Sequence, residues 1–131
     1  MLQVETIVIL IDDQEMLRVL LGYIVETAGA KVEKTYATAD SALSDLNSGV
    51  IAPDIIFCDN QMPASMEGVD FLAEVRRKDF RSSSGNEIIL VLATGDEKPG
   101  IQAKAQEYGI YFLKKPYDPK EIIRIIQKHL G

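Results

Sequence analysis

Thr6-Ile-Val-Ile-Leu-Ile11, running into Asp12-Asp13, and Asp54-Ile-Ile-Phe-Cys58, running into Asp59, decide how this chain folds. Both runs are short, rich in Ile and Val, and free of polar alternation, which marks strands buried on both faces of a sheet. Each ends on carboxylates. Two carboxylates about 4 Å apart repel by roughly 4 kcal/mol at an effective dielectric near 20. A sheet edge that collects three of them is expected to bind a cation or shift their ionisation.

Outward from these runs, apolar strands alternate with helical patterns along the whole chain. Strands are expected near residues 5–11, 31–36, 54–58, 87–92 and 110–113, and helices near 14–28, 39–48, 67–79, 97–108 and 118–129. Five strands alternating with five helices predict βαβ units, hence an α/β doubly wound parallel sheet covered on both faces. Gly29 and Gly109 fall where the first and fourth helices should end. The last helix has Asp118 at its N-cap, Pro119 at its first position and Glu121 three residues after the cap. Its Ile122, Ile123, Ile125, Ile126 and Leu130 form an apolar face expected to pack on the sheet. Two segments read as loose: the polar stretch Arg81-Ser-Ser-Ser-Gly-Asn86, and the start of the fourth helix, where Gly100 weakens a short element.

At 131 residues, 47% of them hydrophobic and 26% charged, the chain has the size and balance of one globular domain. Its one cysteine, Cys58, cannot form an internal disulfide. No apolar stretch approaches the ~18 residues of a membrane helix, and no basic segment precedes a cleavage site. The expectation is a cytoplasmic protein without a membrane anchor. A net charge of −6 argues against direct nucleic-acid binding.

In a doubly wound sheet of strand order 2-1-3-4-5, ligands bind outside the carboxyl ends of strands one and three, where the order reverses. That places Asp12, Asp13 and Asp59 together. Thr94 and Lys115 end the fourth and fifth strands. Three carboxylates, a hydroxyl and an ammonium suit phosphoryl chemistry. A hard cation such as Mg²⁺ takes oxygen ligands, a lysine and a hydroxyl hold phosphoryl oxygens, and a carboxylate can serve as nucleophile.

Ile11-Asp12-Asp13, Asp59-Asn60-Gln61-Met62-Pro63 with Gly68, Thr94-Gly95 and Lys115-Pro116, in this order at strand ends, resemble the response-regulator receiver domain, the phosphoacceptor domain of two-component signalling. The resemblance covers essentially the whole chain and implies a flavodoxin-like (βα)5 fold. It implies that Asp59, in the D-x-x-M-P pattern, is the phosphoacceptor. It further implies that Asp13 ligates Mg²⁺ (or Mn²⁺) directly and Asp12 through water. Asp59 and the backbone carbonyl of Gln61 would complete the protein ligands. Thr94 and Lys115 match the residues that hold the phosphoryl oxygens, and Phe112 matches the aromatic residue repositioned on activation. Lys115, not its neighbour Lys114, precedes the proline, and that bond is cis in the family. The implied partners are a sensor histidine kinase or histidine phosphotransfer protein and a downstream protein. The surface of the fourth helix, fifth strand and fifth helix is the expected readout.

Taken singly, each residue has a plainer role. Asp13 could cap a helix, Asp59 and Thr94 could serve turns, and Lys115 could be a solvated loop lysine. Cys58 reads as a small buried hydrophobe, His129 as a last-turn residue suited to the helix dipole, and Arg76, Arg77 and Lys78 as a solvated face. Asp96 is expected either to orient or repel water near the phosphoryl group or to cap the fourth helix. Gln61 is a second position expected to tune phosphoryl lifetime. One departure stands out. Four residues, Ala64 to Glu67, separate Pro63 from Gly68, where the family usually has three. The extra residue is expected to reshape the loop beside the site. The alternative function is an interaction module of the same fold that phosphorylation does not regulate.

Overall fold

A computed structural model describes residues 5–95 and 98–130. The element order is β1 (Ile7–Ile11), α1 (Glu15–Thr27), β2 (Lys31–Tyr36), α2 (Ala39–Asn47), β3 (Ile55–Asp59), α3 (Gly68–Arg77), β4 (Ile89–Thr94), α4 (Pro99–Glu107), β5 (Tyr111–Lys114) and α5 (Pro119–Leu130). All strand pairs are parallel, and the sheet order is β2-β1-β3-β4-β5. The expected α/β doubly wound fold is therefore observed.

Although β1 and β3 read as unbroken apolar runs, their side chains alternate between two cores. Ile9, Ile11, Ile56 and Cys58 join Leu90 and Leu92 beneath α2, α3 and α4, where Ala42, Leu46, Leu72, Val75, Ile101 and Ala105 are buried. Val8, Leu10, Ile55 and Phe57 join Val91, Ala93 and Leu113 beneath α1 and α5, where Leu21, Ile24, Val25, Ile122 and Ile126 are buried. A strand that feeds two cores has no solvent face, which is why polar alternation is missing.

Four helices end in the same hydrogen-bonded turn. After α1, Gly29 at φ +100° donates to the Glu26 carbonyl and Ala30 to that of Val25. Gly109 repeats this after α4 and Gly49 after α2. At the end of α3 a non-glycine, Asp79, takes the left-handed conformation at φ 55°. Asp118 caps α5 by accepting the Lys120 amide at 3.0 Å.

Several details differ from expectation. β4 starts at Ile89 because Glu87 bridges back to Arg81. The segment read as loose is closed on itself. Ser82 is buried, its amide donates to the Asn86 carbonyl, and its hydroxyl accepts the Asn86 amide. Leu130 is exposed rather than packed on the sheet, and Ile123 and Ile125 are half-buried. Arg76 is no solvated residue: its guanidinium donates to the carbonyls of Ile88, Tyr108 and Gly109, tying α3 to the start of β4 and the end of α4. Arg77 does pair with Glu74 on the surface. Among the described residues, no helix is long and apolar enough to cross a membrane.

Candidate functional site

The sheet order puts β1 and β3 side by side, with α1 leaving β1 toward one face and α3 leaving β3 toward the other. This is the topological switch point. Asp59 is the last residue of β3 and Asp12 follows β1 directly, so backbone pairing fixes both positions. Carboxylate oxygens of Asp12, Asp13 and Asp59 all lie within 4.8 Å of one another. Asp12 and Asp59 are buried, whereas Asp13 is exposed.

Lys115, the residue directly after β5 and just before a cis Lys115–Pro116 bond, extends into this group. Its Nζ lies 3.1 Å from Asp59 Oδ1 and 3.3 Å from Asp12 Oδ2. One ammonium thus faces two buried carboxylates. Lys114 stays on the exposed side of the strand, as alternation requires. Burial raises the Asp59 pKa above its ordinary value, and the neighbouring Asp12 charge pushes the same way, against the opposing pull of Lys115. Burial, with Asp59 and Asp12 adding to it, also lifts the Cys58 thiol far up, which fits a packed hydrophobe rather than a reactive thiolate.

The remaining expected residues take distinct places. Thr94 ends β4, buried, at the rim of an open cleft that also includes Asp13, Asp59, Gln61, Met62, Pro63, Gly95 and Lys115. Gln61 is exposed there. Phe112 lies outside the cleft, half-buried against the core layer that contains Ile101 and Ala105. Asp96 lies outside the described residues, so its two readings stand as expectations.

Local structure fixes the position of the cluster. Gly68 opens α3 directly over the end of β3. Its amide donates to the Asn60 carbonyl at 2.9 Å, and a Cβ there would sit 2.0 Å from the Asp59 carbonyl oxygen. Only glycine admits this approach. The longer loop before it is pinned rather than loose. Ala64 turns it at φ 58°, and the Ser65 hydroxyl accepts the Ala39 amide at 2.9 Å and donates to the Met66 carbonyl. The Met66 amide in turn donates to the Asp40 carboxylate at 3.2 Å. The extra residue therefore fastens the cleft wall to the start of α2.

Three supports of the site escaped the sequence analysis. Asp12 Oδ1 accepts the Gln14 amide at 2.9 Å, which orients the carboxylate at the start of α1. Arg18 donates to the Asp12 carbonyl at 2.6 Å. The Tyr117 hydroxyl donates to Asp12 Oδ2 at 3.3 Å. Arg18 lies one turn into an amphipathic helix, and nothing in its spacing distinguishes it. Tyr117 carried a signal, since it sits two residues beyond Lys115 on the same strand end.

The donor set tests whether a cation fits. Three carboxylate oxygens within 4.8 Å of one another, a donor set that among the described residues includes no sulfur or imidazole, suit a hard oxygen-seeking ion such as Mg²⁺ or Mn²⁺.

Known proteins agree with this geometry. The protein is 27% identical over 124 residues to chemotaxis protein CheY of Thermotoga maritima, covering 92% of this chain and 94% of that one. It is 35% identical over 111 residues to a protein-glutamate methylesterase/protein-glutamine glutaminase of Treponema denticola, covering 83% of this chain but spanning only 28% of that protein. A CheY-like receiver domain protein of Methanospirillum hungatei JF-1 superposes with a TM-score of 0.80 at 20% identity, covering 97% of this chain and 94% of the other. The profile of the response regulator receiver domain matches residues 8–127. With the acidic cluster at the switch point of a five-stranded 2-1-3-4-5 sheet, this match makes the chain a member of the response regulator receiver domain family.

Proposed function

We propose that the chain is a phosphorelay receiver that accepts a phosphoryl group on Asp59 from a phosphohistidine donor. The observation that carries this reading is the shared ammonium: Lys115 lies 3.1 Å from Asp59 and 3.3 Å from Asp12 inside a group of three carboxylates. An ion pair divided in this way is costly as a purely structural device, because burial leaves one negative charge in excess. It is suited to a site that receives a doubly charged group together with a divalent cation.

In the proposed reaction, a carboxylate oxygen of Asp59 attacks phosphorus in line with the leaving imidazole. A P–O bond forms as the P–N bond breaks, and the imidazole nitrogen keeps the electron pair and takes a proton from solvent. The product is an acyl phosphate. Asp12, Asp13, Asp59 and the Gln61 carbonyl are the groups that would hold Mg²⁺ or Mn²⁺, which when bound neutralises charge on the phosphoryl oxygens. Lys115 and Thr94 are assigned to those oxygens. Lys115, 3.1 Å away, favours the carboxylate form of Asp59 against the burial that raises its pKa.

For the donor, α1 carries supporting evidence. Met16, Val19, Leu20 and Tyr23 are 82%, 66%, 49% and 73% exposed at helical spacing, and the helix starts beside Asp13 and Gln14 at the cleft rim. An apolar stripe next to the acceptor suits a helical protein surface that brings a phosphohistidine to Asp59. The readout is assigned to α4, β5 and α5, where Phe112 is half-buried and Tyr111 is exposed.

The test is intact mass spectrometry after mixing with a phosphorylated histidine phosphotransfer domain, and separately with acetyl phosphate, each with and without Mg²⁺. One phosphoryl adduct that requires the metal is expected. Its absence with both donors, under conditions that preserve acyl phosphates, would favour the interaction module that phosphorylation does not regulate.

A further inference from the structure

Lys115 cannot serve a phosphoryl group and remain fully paired with Asp12. Asp12 is buried, and its Oδ2 accepts two donors at 3.3 Å, Lys115 Nζ and the Tyr117 hydroxyl. Its Oδ1 is already committed to the Gln14 amide. When Lys115 turns toward a newly attached phosphoryl group, Oδ2 keeps one partner, and that partner is Tyr117. We propose that the Tyr117 hydroxyl is a positioning group that holds the Asp12 carboxylate in place while Lys115 changes partners. This rests on the receiver function proposed above.

Two features separate the hydroxyl from the ring. Lys115 Nζ lies 5.6 Å from the centre of the Tyr117 ring, a cation–π contact that a phenylalanine would keep. The hydroxyl's bond is to Asp12, so a purely packing role would not require it. Burial and the Asp12 and Asp59 charges push its ionisation upward, so it remains a donor at neutral pH. Without it, Asp12 Oδ2 relies on Lys115 alone. The ammonium is then held more firmly among the carboxylates, where it competes with an incoming cation and is slower to engage a phosphoryl group.

The test is a double-mutant cycle in the full chain, using Tyr117→Phe, Asp12→Asn and the pair, with Mn²⁺ affinity read from the free-ion electron paramagnetic resonance signal. Tyr117→Phe should weaken Mn²⁺ binding about two- to fivefold, in the range of coupling between groups in contact. At saturating Mg²⁺ it should slow adduct formation from acetyl phosphate about three- to tenfold, with an unchanged melting temperature. In the Asp12→Asn background the substitution should have no effect on Mn²⁺ affinity. Tyr117→Leu, which also removes the ring, should be worse than Tyr117→Phe in adduct formation. Wild-type values in Tyr117→Phe, or an equal loss with and without Asp12, would overturn the assignment. If the wild-type protein accepts no phosphoryl group, the receiver reading fails, and the Mn²⁺ cycle still decides whether Tyr117 acts through Asp12.

Discussion

Replacing Asp59 by asparagine should make the metal-free protein more stable at neutral pH while abolishing its chemistry. Its nearest cation, Lys115 at 3.1 Å, attracts the Asp59 carboxylate by about 5 kcal/mol at an effective dielectric near 20. Asp12, within 4.8 Å, repels it by about 3.5 kcal/mol on the same basis. These largely cancel, and Lys115 is also shared with Asp12, so the cost of burying the charge decides the sign. The raised pKa of Asp59 has the same cause. Asparagine keeps the shape without the charge, and a gain of about 1 kcal/mol is expected, typical of relieving a functional site. The pH dependence follows. The native state holds the Asp59 proton more tightly than the unfolded chain does. The stability from this group is therefore fully present below the ordinary carboxylate pKa and lost as pH rises through the raised native value. The gap between variant and wild type should accordingly open as pH rises from the acid side toward neutrality. Excess Mg²⁺ should close it, since a ligand at ten times its Kd stabilises the folded state by about 1.4 kcal/mol, and the variant has lost a ligand. Urea unfolding of both proteins at several pH values, with and without Mg²⁺, measures all of this. A metal-free variant no more stable than wild type at neutral pH, or a gap that does not change with pH, would refute the reasoning.

Substitutions at Gly68 and Ser65 probe how the site is supported, and Gly100 and Ser48 serve as contrasts. Gly68→Ala places a Cβ 2.0 Å from a backbone oxygen that cannot swing away, so a loss of about 3 kcal/mol or more and slower phosphorylation are expected in urea and acetyl-phosphate assays. Gly100→Ala, with open space around it in α4, should instead gain up to about 1 kcal/mol. Ser65→Ala removes the acceptor for the Ala39 amide. It should cost about 1 kcal/mol and speed hydrogen exchange at Ala39, whereas Ser48→Ala, which removes only an exposed contact, should do neither.

The parts of this molecule that were legible in its sequence are those set by local rules. Strand runs such as Ile7–Ile11 and Ile55–Asp59 are apolar because both faces are buried, and Gly29 and Gly109 mark helix ends because the turn after them needs a left-handed residue. Backbone pairing then carried Asp12, Asp13 and Asp59 to one edge, so three acids distant in sequence could be grouped without coordinates. What stayed hidden depends on side-chain reach. Arg76 appeared to belong to a run of surface cations, yet its guanidinium satisfies three carbonyls on other elements. Ser65 looked like an inserted loop residue, but its hydroxyl fastens the loop to α2. Asp79 takes a glycine-like conformation that its identity only weakly suggests. The part of Tyr117 depends on the rotamers of Lys115 and Asp12 together, which no spacing rule encodes.

The most direct test of the central proposal is chemical identification of the modified residue. The protein would be phosphorylated with acetyl phosphate and Mg²⁺, reduced with borohydride, which converts an acyl phosphate to the alcohol, and digested for peptide sequencing by mass spectrometry. The account predicts homoserine in place of Asp59 alone, dependent on Mg²⁺ and absent after treatment with hydroxylamine. Reduction at Asp12 or Asp13, or no reduced residue in a protein that carries the phosphoryl mass, would contradict it.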